Sequence, residues 1–173
     1  MARRREPRGA SREQAVRHGE IRRLALAVRA ARQALTANRS QMQTIVDEMA
    51  PGLTERHGVG AVTAAQAIVS FSHVGRCRND AAFAALSGTS PLQASSGKTV
   101  RHRLNRGGDR QANFALWHIM LTRMVSDERT KTYMARRIED GLTKQEAMRC
   151  VKRYIAREIY QHLPRQQLAL DTP

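Results

Sequence analysis

Aromatic side chains make up only 4% of the 173 residues: three Phe, three Tyr and one Trp. A core built from this chain must therefore be aliphatic and alanine-rich. Cysteine is scarcer still. Cys77 and Cys150 lie far apart and neither sits in a C-x-x-C pair, which argues against a disulfide or zinc framework and suits a reduced cytoplasm. The six histidines fall in no H-E-x-x-H or comparable ligand spacing, so no protein-only metal site is visible. Acids are short by half: fifteen Asp/Glu against thirty Lys/Arg give a net charge of +15 and a pI of about 11.4. A field of that sign gathers polyanions, nucleic acid first and acidic lipid second. No apolar run is long enough to span a bilayer. The opening "MARRREPRGA" has no apolar segment behind its arginines and does not read as a secretory signal.

What is present is mostly helical material: long Ala/Leu/Arg/Gln/Met runs without an internal repeat. Residues 1–15 read as a disordered basic arm. Over residues 16–50 apolar side chains recur at a 3-4 spacing. Ile21, Val28, Leu35, Met42 and Met49 form one heptad set, and Leu24, Ala31, Asn38 and Ile45 the other. Four heptads fit a coiled-coil seam joining two copies through residues 21–49, with Asn38 fixing register. They fit equally a long amphipathic helix packed on its own domain. "APG" at Ala50–Gly52 stops the helix.

Residues 53–163 read as one helical domain, followed by a loose tail at 164–173. "LTERHGVGAVTAAQAIVSF" predicts a short helix ending at His57, a tight turn at Gly58-Val59-Gly60 and a helix opening at Thr63-Ala64. This is a helix-hairpin-helix pattern, in which Gly58 and Gly60 let backbone approach a phosphate. A plain turn between packed helices reads the same way. Asn79 caps a helix over residues 80–86. In "RQANFALWHIMLTRMV", Phe114, Trp117, Leu121 and Val125 are spaced for one buried face. Trp117 could stack a base, but its apolar neighbours favour the core. Ser126 starts a polar helix ending near Gly141. "TKQE" at Thr143–Glu146 is a capping box. The helix it opens should bury Ala147, Val151, Tyr154, Ile155 and Ile159 and turn Lys152, Arg153 and Arg157 to solvent. Lys152 and Arg153 are candidate nucleic-acid contacts on that face.

The stretch "SSGKTVRHRLNRGGDR", Ser95 to Arg110, gathers Lys98, Arg101, Arg103, Arg106 and Arg110 around two serines and three glycines. "KTVRHRL" alternates as a small β-hairpin, and "NRGGD" closes it with turn chemistry. Serines beside glycine are mostly turn residues. A serine that attacks a phosphodiester, however, needs negative charge neutralised as it builds on phosphorus, which arginine's flat two-pronged donor does well. Local bases are weak: His102 suits a hairpin side chain, and Asp109 suits a helix N-cap.

The order G-h-G, A-a-x-x-G-x-x-P, S-G-K, R-G-G-D-R-x-x-N and then a capped basic helix resembles the C-terminal domain of the DEDD-type insertion-sequence transposases of the 110/116/902 family. The resemblance spans about Leu53 to Leu163, with the heptads standing where the family has its central coiled coil. It implies a mainly α fold and a bacterial, nucleoid-associated protein. The implied activity is serine-dependent DNA recombination through a transient phosphoserine link. The family's S-G serine falls on Ser96, with Ser95 as the close alternative. The implied partners are DNA, both element ends and target, and a non-coding guide RNA. The family's RuvC-like domain, whose four acids bind Mg2+, has no counterpart in this sequence. The expectation is that this chain alone cleaves DNA poorly and represents a truncated frame, a misplaced start or half of a split enzyme. A non-catalytic helix-hairpin-helix module that binds DNA or RNA is the alternative.

Overall fold

The computed structural model describes Gly9 and residues 11–94, 102–103 and 105–163. They fall into two compact units, divided between Gln41 and Met42. One continuous helix, α1 (Arg12–Met49), contributes to both. It starts inside the stretch expected to be a loose arm. The reason is a capping box: Gln14 N–H donates to Ser11 Oγ at 3.3 Å and Ser11 N–H to Gln14 Oε1 at 3.0 Å. The pairs Glu13–Arg17 and Glu20–Arg23 then line its exposed first turns.

In the first unit the heptad residues Ile21, Leu24, Val28 and Leu35 are all exposed. In the second unit the pattern changes. Val46 is buried, and Met42 and Met49 pack against the domain core, while Ile45 is exposed. Residues 42, 46 and 49 follow a helical face rather than the heptad seam. The seam expected to run to Met49 therefore gives way to intramolecular packing from Met42 onward.

Ala50-Pro51-Gly52 ends α1, as proline must. The short helix expected up to His57 does not form; residues 51–58 are a run of turns. Gln43 Nε2 donates to Asp47 and to Thr54 Oγ1, and Thr54 Oγ1 donates to Asp47, all within 2.9 Å. These bonds fold the turns back on the helix. Helix α2 (Ala61–Phe71) opens two residues earlier than expected. Thr63 is its third residue, and its hydroxyl accepts the Gly60 N–H at 3.0 Å.

Asn79 caps α3 (Asp80–Leu86) by accepting from Ala82 N–H at 2.9 Å. Strand β1 (Leu92–Gln93) pairs antiparallel with β2 (His102–Arg103), Leu92 opposite Arg103 and Gln93 opposite His102. β2 lies where the hairpin was expected, but its partner lies upstream of the serines. Ser126 closes α4 (Arg110–Ser126) instead of starting the next helix; Asp127 caps α5 (Glu128–Glu139). The expected box at Thr143 opens α6 (Lys144–His162), with Thr143 N–H donating to Glu146 Oε2 at 2.9 Å.

α2 packs on α4, and α6 on α3, α4 and α5. Ala64, Ala67 and Ile68 meet Leu116, Ile119 and Met120, while Val151, Ile155 and Ile159 face in from α6. Each large aliphatic side chain buried here contributes about 1.5–3 kcal/mol. The few aromatics are concentrated: Phe71, Phe83 and Tyr160 lie with ring centroids 6.0–6.5 Å apart. The expected α4 face is overturned, whereas on α6 Ala147, Val151, Ile155 and Ile159 are buried as expected and two positions differ. α4 buries Ala112, Ala115, Leu116, Ile119 and Met120, whereas Phe114, Trp117 and Val125 are exposed at 54%, 36% and 77%. On α6, Tyr154 is exposed and Lys152 buried.

Candidate nucleic-acid interface

The S-G-T-S-P turn after α3 and the R-G-G-D-R-x-x-N segment entering α4 lock together. Gly88 adopts φ +66, and its Cα faces Gly108. A Cβ on Gly108 would stand 2.6 Å from Gly88 Cα and 2.8 Å from Leu86 O, and closer still to Gly88 N. Only bare backbone fits. Asp109 N–H then donates to Leu86 O at 2.6 Å. The Asp109 carboxylate caps α4, accepting from Gln111 and Ala112 N–H at 2.8 and 3.1 Å. Burial alone would raise this carboxyl. Hydrogen bonds from Ser70, Ala112 and Gln111, with the charge of Arg76, more than offset it and hold the group below its ordinary value. Asp109 is thus committed as an ionised cap and is a poor general base.

Asn113, the last residue of that motif, ties the lock to α6. Its Nδ2 donates to Ser87 O at 2.8 Å, and its Oδ1 accepts from Lys152 Nζ at 2.7 Å. Lys152, expected in solvent as a nucleic-acid contact, is 8% exposed. Burial pushes its ammonium pKa down. Its main contact is structural.

Around this clasp, the hairpin, α5 and α6 enclose a cavity of about 650 Å³. β2 supplies Arg103, and α5 supplies Arg136 and Arg137. α6 supplies Lys152 together with Arg149, Arg153 and Arg157, the three arginines standing one turn apart. Acidic partners are few. Arg157 pairs with Asp80 at 2.9 Å, Arg137 with Asp140 at 3.1 Å and Arg149 with Glu146 at 3.8 Å. Arg153 is held by the Asp80 carbonyl at 3.1 Å. Seven cations against three acids make this a strongly positive recess, suited to phosphates. Arg136, Arg137 and Arg149 were not singled out in the sequence, although the four-residue spacing of Arg149, Arg153 and Arg157 was a signal. Tyr133 also lines the cavity. Burial, then Cys150 and Tyr154, push its phenol up to about 12, so it is protonated near neutral pH. Ser90 belongs to the same wall.

Arg106 and Arg110 are exposed on the other side of Gly88 and Asn105, where those residues border a second hollow. Gly58 packs closely on its own domain, and the Gly60 N–H is already engaged. Gly58, at φ +78, packs on α4; a Cβ there would lie 3.1 Å from Ile119 O. Val59 N–H donates to Arg56 O and Gly60 N–H to Thr63 Oγ1. Arg123 secures this turn, donating to His57 O at 2.8 Å and pairing with Glu158 at 2.7 Å. Gly58 thus packs against α4, while the Gly60 N–H serves the turn itself. Ser95, Ser96, Lys98 and Arg101 lie outside the described residues. His102, just after them, is exposed on β2 and borders the cavity.

Among the described residues, no group of three or more His, Cys, Asp or Glu could hold a metal ion. The magnesium that the resemblance implies therefore finds no fitting ligand set there. No described helix is long and apolar enough to cross a membrane. Residues 50–135 match the family described as Transposase IS116/IS110/IS902 family. Over that part, the chain is homologous to these transposases. No curated protein matches the chain.

Proposed function

We propose that this chain is a DNA-binding portion of an insertion-sequence transposase, in which the basic cavity grips the DNA backbone and a serine supplies the nucleophile. The observation that carries the reading is the seven-cation recess next to β2, within and beyond a segment homologous to transposases. Ser96, or Ser95, attacks the phosphodiester. The serine hydroxyl gives up its proton as its oxygen bonds to phosphorus, and the bridging ester oxygen leaves and takes up a proton in its place. The arginines neutralise the charge that builds on the phosphoryl oxygens. Strand cleavage and transfer of element ends into a target follow from that step. The guide RNA of the resemblance would use the same positive field. Self-association would use the exposed stripe Ile21–Leu24–Val28–Leu35.

The decisive experiment traps a covalent protein–DNA adduct on a nicked or suicide substrate, using this chain joined to a RuvC-like acidic domain of the family. Ser96→Ala should abolish the adduct and leave DNA binding intact. An adduct surviving in Ser96→Ala but lost in Ser95→Ala moves the nucleophile by one residue. An adduct surviving both points to Ser90. Salt-independent DNA binding by this chain would sink the backbone-gripping reading itself.

A further inference from the structure

The aromatic residues of α4 are an anomaly in a chain with so few. Arg110, Phe114, Trp117 and His118 share one helical face and are all exposed. Phe114 and Trp117 lie nearly parallel, with 16° between ring planes and 5.8 Å between centroids. His118 stands edge-on to both, 4.4 Å from Phe114 and 5.1 Å from Trp117. The opposite face of the helix is fixed in the core by Ala115, Leu116 and Ile119. The rings are therefore held on a rigid support, with Phe114 54% and Trp117 36% exposed. At one end of the stack, Arg106 and Arg110 border the same hollow, about 590 Å³, and neither pairs with an acid among the described residues.

Flat, rigid, exposed rings with unpaired guanidinium groups at their edge match one ligand chemistry well. An unpaired base offers a π-face for stacking, and its flanking phosphates offer charge for the arginines. A duplex offers the phosphates but no free base face. A protein partner would gain from the rings but would meet a chain of net charge +15. We propose that Phe114, Trp117 and His118 form a stacking platform for an unpaired base of single-stranded DNA, with Arg106 and Arg110 holding its neighbouring phosphates. The choice of DNA rests on the function proposed above. The hollow shares Gly88 and Asn105 with the walls of the basic cavity. A strand gripped in the cavity would thus have a base-sized stop immediately beyond it.

Trp117 is the chain's one tryptophan, so its fluorescence reports this site alone. The full chain should be titrated with a short oligodeoxythymidylate, with a blunt duplex and with oligouridylate, each at several salt concentrations. The expected result is quenching by the single DNA strand and little quenching by the duplex. With labelled oligodeoxythymidylate followed by anisotropy, Trp117→Ala should weaken binding roughly 5- to 100-fold at an unchanged salt slope. Trp117→Phe should restore most of the loss, which a merely destabilised fold would not do. Single-strand binding without quenching, or unaffected by Trp117→Ala, would overturn the platform and leave the basic cavity standing. Failure of every polyanion to bind in a salt-dependent way would remove the underlying DNA reading as well. Stronger quenching and tighter binding with oligouridylate would overturn the assignment to DNA.

Discussion

The R-G-G-D-R-x-x-N segment can be compared with itself. Gly108, Asp109 and Asn113 point inward and fasten the chain to Gly88, Leu86 and Lys152. Arg106 and Arg110, interleaved with them, point outward. One short run of sequence is thus half fastener and half contact surface. The positive charges reach a ligand only because the glycines and the asparagine hold the strand beneath them. A residue type does not decide which role it plays: Lys152 is a cation by type and a fastener by position.

Perturbing the fastener should disrupt the fold far more than perturbing the contact surface. Gly108→Ala has no space, and we expect a loss of at least about 3 kcal/mol or outright misfolding in chemical denaturation. Gly107→Ala, whose Cβ would meet only Asn105 Oδ1 at 3.5 Å, should cost under about 1 kcal/mol. Equal losses would mean the Gly88–Gly108 approach is not what holds the segment. Asn113→Ala leaves the Ser87 carbonyl and a buried ammonium without partners, at a cost of about 2–4 kcal/mol. The triple change of Arg103, Arg106 and Arg110 to Gln should move stability by less than about 1 kcal/mol. It should, however, flatten the salt dependence of DNA binding by about 0.9 for each phosphate left without its arginine. The subtlest test is acid titration. The folded Asp109 carboxyl is held below its unfolded value, so its stabilisation is present above the unfolded pKa, near 3.9. That stabilisation disappears as pH falls through the folded value. Asp109→Asn should therefore be less sensitive to pH below about 4 than the parent chain.

Local chemistry was the most legible part of the sequence. Asn79, Asp109 and Thr143 cap the helices they were expected to cap, because a capping side chain bonds within its own three or four residues. The same kind of signal, Ser11 with Gln14, was present at the start of α1 but hidden under the run of arginines. Helical faces were less legible. Phe114, Trp117 and Val125 looked like a buried stripe because they are large and apolar, yet small Ala112 and Ala115 let α4 approach its neighbours closely and so chose the other face. Lys152 was read as solvent-facing because nothing in its own helix reveals Asn113, 39 residues away. The cations of α5 escaped notice for the same reason: the cavity is assembled by tertiary packing from segments that look ordinary alone.

The contact between Gly88 and Gly108 also bears on how such a chain can change over generations. Each position already carries the smallest residue there is. A side chain gained at one cannot be offset by shrinking the other. The turn after α3 and the loop before α4 are therefore inherited as a coupled pair, and drift at either glycine has no nearby second-site remedy short of moving the backbone.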